Sequence, residues 1–129
     1  MKNISSFILM LLFISCAKSQ SIDCKKVHIG NFELNSKVSG KTKIVRTEKY
    51  QFETNEFMNV KSRYDIVWID DCHYELRNRK LLSGTDKYNG EPTDIFKIEI
   101  VKIEGSKIFV KTSANFAKEV YDGEIDIVK

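Results

Sequence analysis

The chain is expected to be all-β, an antiparallel small barrel or strongly curled sheet of seven or eight strands, and three features of the sequence carry that expectation. Beyond the N-terminal segment, β-branched and aromatic residues are broken at short intervals by Gly, Asn and Asp, which is the punctuation of short antiparallel strands and not of βαβ units. No long helical period competes with that pattern. The stretch Tyr64 to Leu76 supplies a clear hairpin, with apolar residues alternating on either side of the acidic turn Asp70-Asp71.

Strands are expected near 27–35, 42–50, 51–56, 62–70, 73–81, 95–104, 107–114 and 119–128, the second and third forming either one bent strand or a tight hairpin. In the central hairpin Tyr64, Ile66 and Trp68 share one face, while Tyr74 and Leu76 oppose Glu75 and Arg77 on the return strand, because side chains alternate along a strand. Val67 and Ile69 are apolar on the other face, which marks a central strand with cover on both sides. The stretch 82–93 holds Gly84, Gly90 and Pro92 and reads as the longest connection, expected either to carry a short helix or to cover one end. Ile98 and Ile100 have one parity and Val101 and Ile103 the other, so a bulge is expected near Ile100-Val101. Glu104-Gly105-Ser106-Lys107 is a turn, Ala114 to Glu119 is read as a single helical turn, and Tyr121, Gly123, Ile125 and Ile127 alternate to the end. Closure of the last strand on the first would remove both exposed edges.

The N-terminus declares a destination. Lys2 precedes the unbroken apolar run Phe7 to Ile14, too short for the roughly 20 residues that span a bilayer and about the length of a secretory signal core. Leu12-Phe13-Ile14-Ser15-Cys16 resembles the lipobox of bacterial lipoproteins, with Phe13 where Leu is usual. The resemblance implies removal of residues 1–15, acylation of Cys16 with palmitate-type chains, and a polar tether over 16–23 leading to a single domain at 24–129. More than one acyl chain is needed for firm attachment. The expected location is the outside of the bacterial cytoplasm, lipid-anchored to the cell envelope, with the outer membrane as the expected site. Ordinary signal cleavage near Gln20 and a retained hydrophobic start are the alternatives.

Loss of residues 1–15 leaves 114 of the 129 residues, enough for one modest core. The formal net charge is +3, and Lys2 leaves with the signal, so the mature chain is nearly balanced. Its densest basic spots, Lys25-Lys26, Lys61-Ser62-Arg63 and Arg77-Asn78-Arg79-Lys80, lie among acids and do not make the concentrated stripe that nucleic acid requires. With Cys16 assigned to lipid, Cys24 and Cys72 are the one pair left. Closing a loop of about 49 residues would stabilise the fold by up to ~4 kcal/mol, and two unpaired thiols are the alternative.

Across the mature chain, Cys24-x3-His28-x-Gly30-x-Phe32, Ile44-x-Arg46, Tyr64-x-Ile66-x-Trp68-Ile69-x-Asp71-Cys72-x-Tyr74-x-Leu76 and Val110-Lys111-Thr112-Ser113 form a pattern similar to a group of small secreted or lipidated proteins of Bacteroidota. The resemblance implies a lipocalin-like antiparallel barrel and no particular activity. Some members carry a topoisomerase IV label, which a chain of this length without a basic DNA-binding face does not fit.

Candidate sites are few. Asp70, Asp71 and His73 are the one local cluster of metal-ligand types, but side chains at a hairpin tip diverge, so no metal and no cofactor are expected. Cys72 beside His73 makes a poor nucleophile and base, since neighbouring strand residues face opposite ways. Glu99 and Glu104 are an unremarkable carboxylate pair among 18 acids. Arg46, Tyr64, Trp68 and Tyr74 are candidates for a ligand-binding face, with ordinary core packing as the simpler reading. The function expected is noncatalytic: a membrane-tethered envelope β domain that binds a partner protein, a glycan or a small apolar molecule, without nucleic acid. The alternatives are a lipocalin-like carrier of an apolar molecule, which calls for an internal cavity, an envelope hydrolase with a site assembled from distant strands, and a purely structural envelope or assembly accessory, which calls for an exposed apolar patch in place of a cavity.

Overall fold

A computed structural model describes residues 21–85 and 90–129. The signal segment and Cys16 lie outside the described residues, as does most of the tether. A 3₁₀ turn, Cys24–Val27, leads into eight strands: β1 (Gly30–Ser36), β2 (Gly40–Arg46), β3 (Tyr50–Asn55), β4 (Val60–Asp70), β5 (His73–Gly84), β6 (Phe96–Glu104), β7 (Lys107–Ala114) and β8 (Ala117–Val128). Each pairs antiparallel with its neighbour in sequence, and β8 returns to β1, closing the barrel. This is the up-and-down arrangement that lipocalins share.

The expected elements are displaced at four places. Residues 27–29 are not strand, because Val27 belongs to the 3₁₀ turn. The strand expected over 42–50 stops at Arg46, and Thr47 to Lys49 turn the chain, with Thr47 N donating to Tyr50 O and Tyr50 N to Thr47 Oγ1. The helical turn expected over Ala114 to Glu119 is a tight hairpin, Ala114 facing Ala117. Asn115 fixes it by accepting from Ile95 N and donating to Thr93 O. The described part of 82–93 contains no helix, only the end of β5 and a turn at Pro92-Thr93.

The bulge in β6 falls where the parity change places it, between Ile100 and Lys102. Another lies in β5: Asp65 faces Arg77 and Arg63 faces Lys80, so Tyr64 stands opposite both Asn78 and Arg79. Asn78 adopts φ 51° there, a left-handed conformation that Asn tolerates better than most residues. Val67 and Ile69 point outward, and Ile69 is exposed, since the outer face of a single barrel has nothing to cover it.

The closed ring has two short seams. β5 and β6 share a register of only His73↔Glu99 to Leu76↔Phe96, and β1 and β8 share only Asn31↔Val128 to Glu33↔Asp126. Both seams lie toward the end of the barrel at which the 3₁₀ turn sits. At that end Cys24 is bonded to Cys72 across 48 positions of sequence. Cys24 and Val27 are buried against the core formed by residues including Phe32, Ile44, Ile66, Tyr74, Ile100 and Ile108. The disulfide is the product of an oxidising, extracytoplasmic compartment. Among the described residues no helix is long and apolar enough to cross a membrane.

Candidate functional site

Of the four proposed face residues, Arg46, Trp68 and Tyr74 pack together at the disulfide end, and Tyr64 borders a groove described below. Arg46 is 2% exposed and is held by three hydrogen bonds, donating from Nε to Gln51 Oε1 at 3.0 Å, from Nη1 to Val27 O at 2.8 Å and from Nη2 to the Tyr74 hydroxyl at 3.0 Å. Its guanidinium also lies over the rings of Phe32, Tyr74 and Trp68, at 4.6, 4.8 and 5.9 Å. A buried cation is tolerated only when hydrogen bonds replace its hydration, and these contacts do so while tying the 3₁₀ turn to β2, β3 and β5. Trp68 is covered by Tyr74 on one side and by His28, which stacks on it at 3.4 Å between ring centroids. Tyr64 meets Phe96 edge-on at 6.1 Å. Trp68 is therefore enclosed by packed side chains, whereas Tyr64 on the same strand face borders a groove. Burial raises the Tyr74 hydroxyl above its ordinary pKa, and the neighbouring Arg46 opposes that shift.

The acidic turn does not converge on a metal site. Asp70 Oδ1 accepts from Cys72 N and bonds His73 Nδ1 at 2.8 Å, while Asp71 uses its main-chain carbonyl to bind His28 Nε2 at 2.7 Å. The His73 contact holds the Asp70 carboxyl below its usual range. Among the described residues, no three His, Cys, Asp or Glu side chains are grouped to hold a metal. Glu99 stands across from Lys111 and Glu104 across from Lys107, at separate points of the β6–β7 ladder.

β3 carries a feature that its sequence conceals. In Tyr50-Gln51-Phe52-Glu53-Thr54-Asn55 the aromatic residues suggest one face and the polar residues the other, yet the polar set points into the barrel. Gln51 and Asn55 are 3% and 5% exposed, while Phe52 is only half-buried. Register explains it: Arg46↔Gln51 and Ile44↔Glu53 put these side chains beside the inward residues of β2, and Glu53↔Ser62 beside the buried Ser62 of β4. Burial drives the Glu53 carboxyl from 4.5 up to about 7, against the pull of Arg79 and Arg46. No signal within β3 reveals this; the short turn 47–49 and the partner strands decide it.

The two ends of the barrel thus differ. At the end opposite the disulfide, the turns between β1 and β2, β3 and β4, and β7 and β8 carry Val38, Phe57, Met58 and Phe116 exposed. Phe57 is 78% exposed. Beside them opens a groove of about 620 Å³ bounded by Tyr64, Arg79 and Leu81 on β4 and β5, Gly90 to Pro92 in the following connection, and Phe96 on β6. It is placed by the short β5–β6 seam, and its size is within the range of ligand clefts. Its charged lining is mixed, with Arg63, Arg79 and Lys80 against Asp65, Glu91 and Asp94. Arg63 lies over the Tyr50 ring at 4.5 Å, and Asn78 donates to Asp65 at 2.8 Å. No protein-family model, no curated protein and no solved structure matches the chain.

Proposed function

We propose that this is a noncatalytic, lipid-tethered domain of the bacterial cell envelope that binds its partner or ligand through the end of the barrel opposite the disulfide. The observation that carries the reading is the difference between the two ends. Where the chain enters, the Cys24–Cys72 bond, the 3₁₀ turn and Arg46 fill the opening. The far end presents Phe57, Val38 and Phe116 to solvent beside the groove. Apolar side chains are exposed at the disulfide end too, at Ile29 and Ile69, so the far end is distinguished by its apolar turn residues standing beside the groove, an arrangement that marks an interaction surface.

Lipid attachment at Cys16 and membership of the small Bacteroidota group are part of the same proposal, supported by the lipobox-like Leu12-Phe13-Ile14-Ser15-Cys16 and by the extracytoplasmic disulfide. A tether entering at Cys24 leaves the far end free to meet a partner. The noncatalytic reading follows from how the charged groups are engaged: Arg46 braces the core, and Asp70 with His73 closes a hairpin tip.

The test is made in a host envelope, with a photo-reactive phenylalanine analogue placed at Phe57 in one strain and at Ile29 in another. Adducts from Phe57 with none from Ile29 are expected. Equal labelling at both, or none at Phe57, overturns the assignment of the far end. Cys16→Ser should move the protein from the membrane fraction to the soluble fraction, and retention in the membrane overturns the anchor.

A further inference from the structure

The hairpin tips at 36–40 and 55–60 are locked to one another. Asn55, 5% exposed, donates from Nδ2 to Ser39 O at 2.7 Å and to Thr42 Oγ1 at 3.1 Å, and its Oδ1 accepts from Met58 N at 2.8 Å. Ser36 Oγ accepts from Val38 N and Ser39 N within the first turn. Gly40, at φ +73°, admits the Phe57 side chain so closely that a Cβ on the glycine would stand 3.2 Å from the Phe57 Cβ.

Turn tips ordinarily carry Gly, Pro, Asn, Asp and Ser. This joined pair instead holds Val38 and Phe57 at 88% and 78% exposure, with Met58 exposed beside them. The bonds to Asn55 fix the main chain beneath these side chains, so their exposure is built into the turns and contributes nothing to the packing of the barrel. Around them the charge is mostly lysine. Lys41 pairs with Glu33 and Lys43 with Glu56, whereas Lys37 and Lys61, both exposed, stand in no ion pair among the described residues.

An apolar side chain on a convex tip needs a protein partner with a pocket shaped for it. A bilayer yields to any convex apolar shape, and anionic headgroups attract lysines placed beside it. Apolar tips flanked by cations without partners therefore fit a lipid surface, which supplies both complements at once.

We propose that the joined tips are a membrane-contact site, with Val38, Phe57 and Met58 entering the headgroup layer of an anionic bilayer and Lys37 and Lys61 meeting its phosphates. This rests on the far end being the binding end and names a lipid surface as its partner. The contact is reversible and weaker than an acyl anchor, so a Cys16→Ser protein still leaves the membrane fraction on dilution and binds lipid only at millimolar concentration.

Trp68 is the single tryptophan of the chain and is enclosed by His28 and Tyr74, so a second tryptophan at a tip reports on its own surroundings. The probe is vesicles of phosphatidylglycerol and phosphatidylcholine in equal parts, offered at millimolar lipid to the mature, oxidised Cys16→Ser chain carrying either Phe57→Trp or Ile29→Trp. A blue shift of emission and quenching by brominated lipid are expected for Phe57→Trp and not for Ile29→Trp. Vesicles of phosphatidylcholine alone should bind several-fold more weakly. Phe57→Ser, which keeps the Cβ beside Gly40, should weaken cosedimentation with the anionic vesicles about tenfold. Lys37→Glu combined with Lys61→Glu should weaken it by about the same factor, each protein keeping the near-ultraviolet circular dichroism spectrum of its parent. The proposal is overturned if Phe57→Trp shows neither shift nor quenching, if Ile29→Trp responds equally, or if Phe57→Ser binds as its parent does. Protein adducts from Phe57 in the envelope, together with any of those three results, would remove this inference alone and leave the far end as the binding end.

Discussion

The imidazole of His28 lies flat against the indole of Trp68, ring centroids 3.4 Å apart and planes within 14°. His28 Nε2 is at the same time bonded to the carbonyl of Asp71 at 2.7 Å, so one residue of the entering segment grips both the end of β4 and the turn that follows it. His28→Ala should remove the ring contact, worth about 0.5–1.5 kcal/mol beyond area burial, together with a hydrogen bond worth about 1 kcal/mol. Urea unfolding followed by Trp68 emission checks this, and His28→Phe should recover the stacking part alone.

Arg46 is the strut of the closed end. Arg46→Met preserves much of the apolar stem but strands Gln51, the Val27 carbonyl and the Tyr74 hydroxyl. A loss of about 3–5 kcal/mol is expected from hydrogen bonds to a charged group that are broken in a buried site. Arg46→Lys should be intermediate, since an ammonium cannot reproduce the planar fan of donors. Equilibrium denaturation of the three proteins tests the order.

Glu53 should make the fold less stable as pH rises. Its carboxyl is raised from 4.5 to about 7 by burial, so the folded state holds its proton more tightly than the unfolded state. The associated stability is fully present below pH 4.5 and is lost as pH rises toward about 7. Glu53→Gln should flatten the stability profile across that window. A profile of unchanged slope in the variant would show that another group is responsible.

Gly84 lies at φ +89°, and a Cβ there would stand 1.8 Å from the carbonyl oxygen of Asn59. Main chain cannot yield as a flexible side chain does, so Gly84→Ala should cost more than about 1 kcal/mol, with the loss concentrated where β5 meets the β3–β4 turn. Thermal unfolding gives the size of the effect, and amide exchange at Asn59 and Thr85 its location.

Much of the barrel was legible because most of its walls obey a simple rule: one face of each strand meets an apolar core. Ile98 and Ile100, Ile108 and Val110, and Ile125 all point inward as their alternation indicates. The Cys24–Cys72 bond was legible as the one pairing left once Cys16 is assigned elsewhere. Arg46 was visible as an unusual residue on a strand but not as a buried brace, because Val27 and Tyr74 are distant in sequence and Gln51, though near, faces it only through the register of β2 with β3. β3 was misleading in itself: Phe52 faces out and Glu53 in because the register with β2 and β4 overrides its own pattern. The groove depends on where β6 parts from β5, a length mismatch between ladders that no single segment encodes.

The disulfide also determines how the domain bears load. A pull on the chain ahead of Cys24 would, without the bond, reach β1 directly and work on the seam with β8, whose register is only Asn31↔Val128 to Glu33↔Asp126. Such a short ladder opens pair by pair. With Cys24 joined to Cys72, the force is diverted to the tip of the β4–β5 hairpin, whose ladder runs from Asp70↔His73 to Val60↔Gly84. The strand nearest the point of traction is thereby shielded, and the longest hairpin takes the strain in its place.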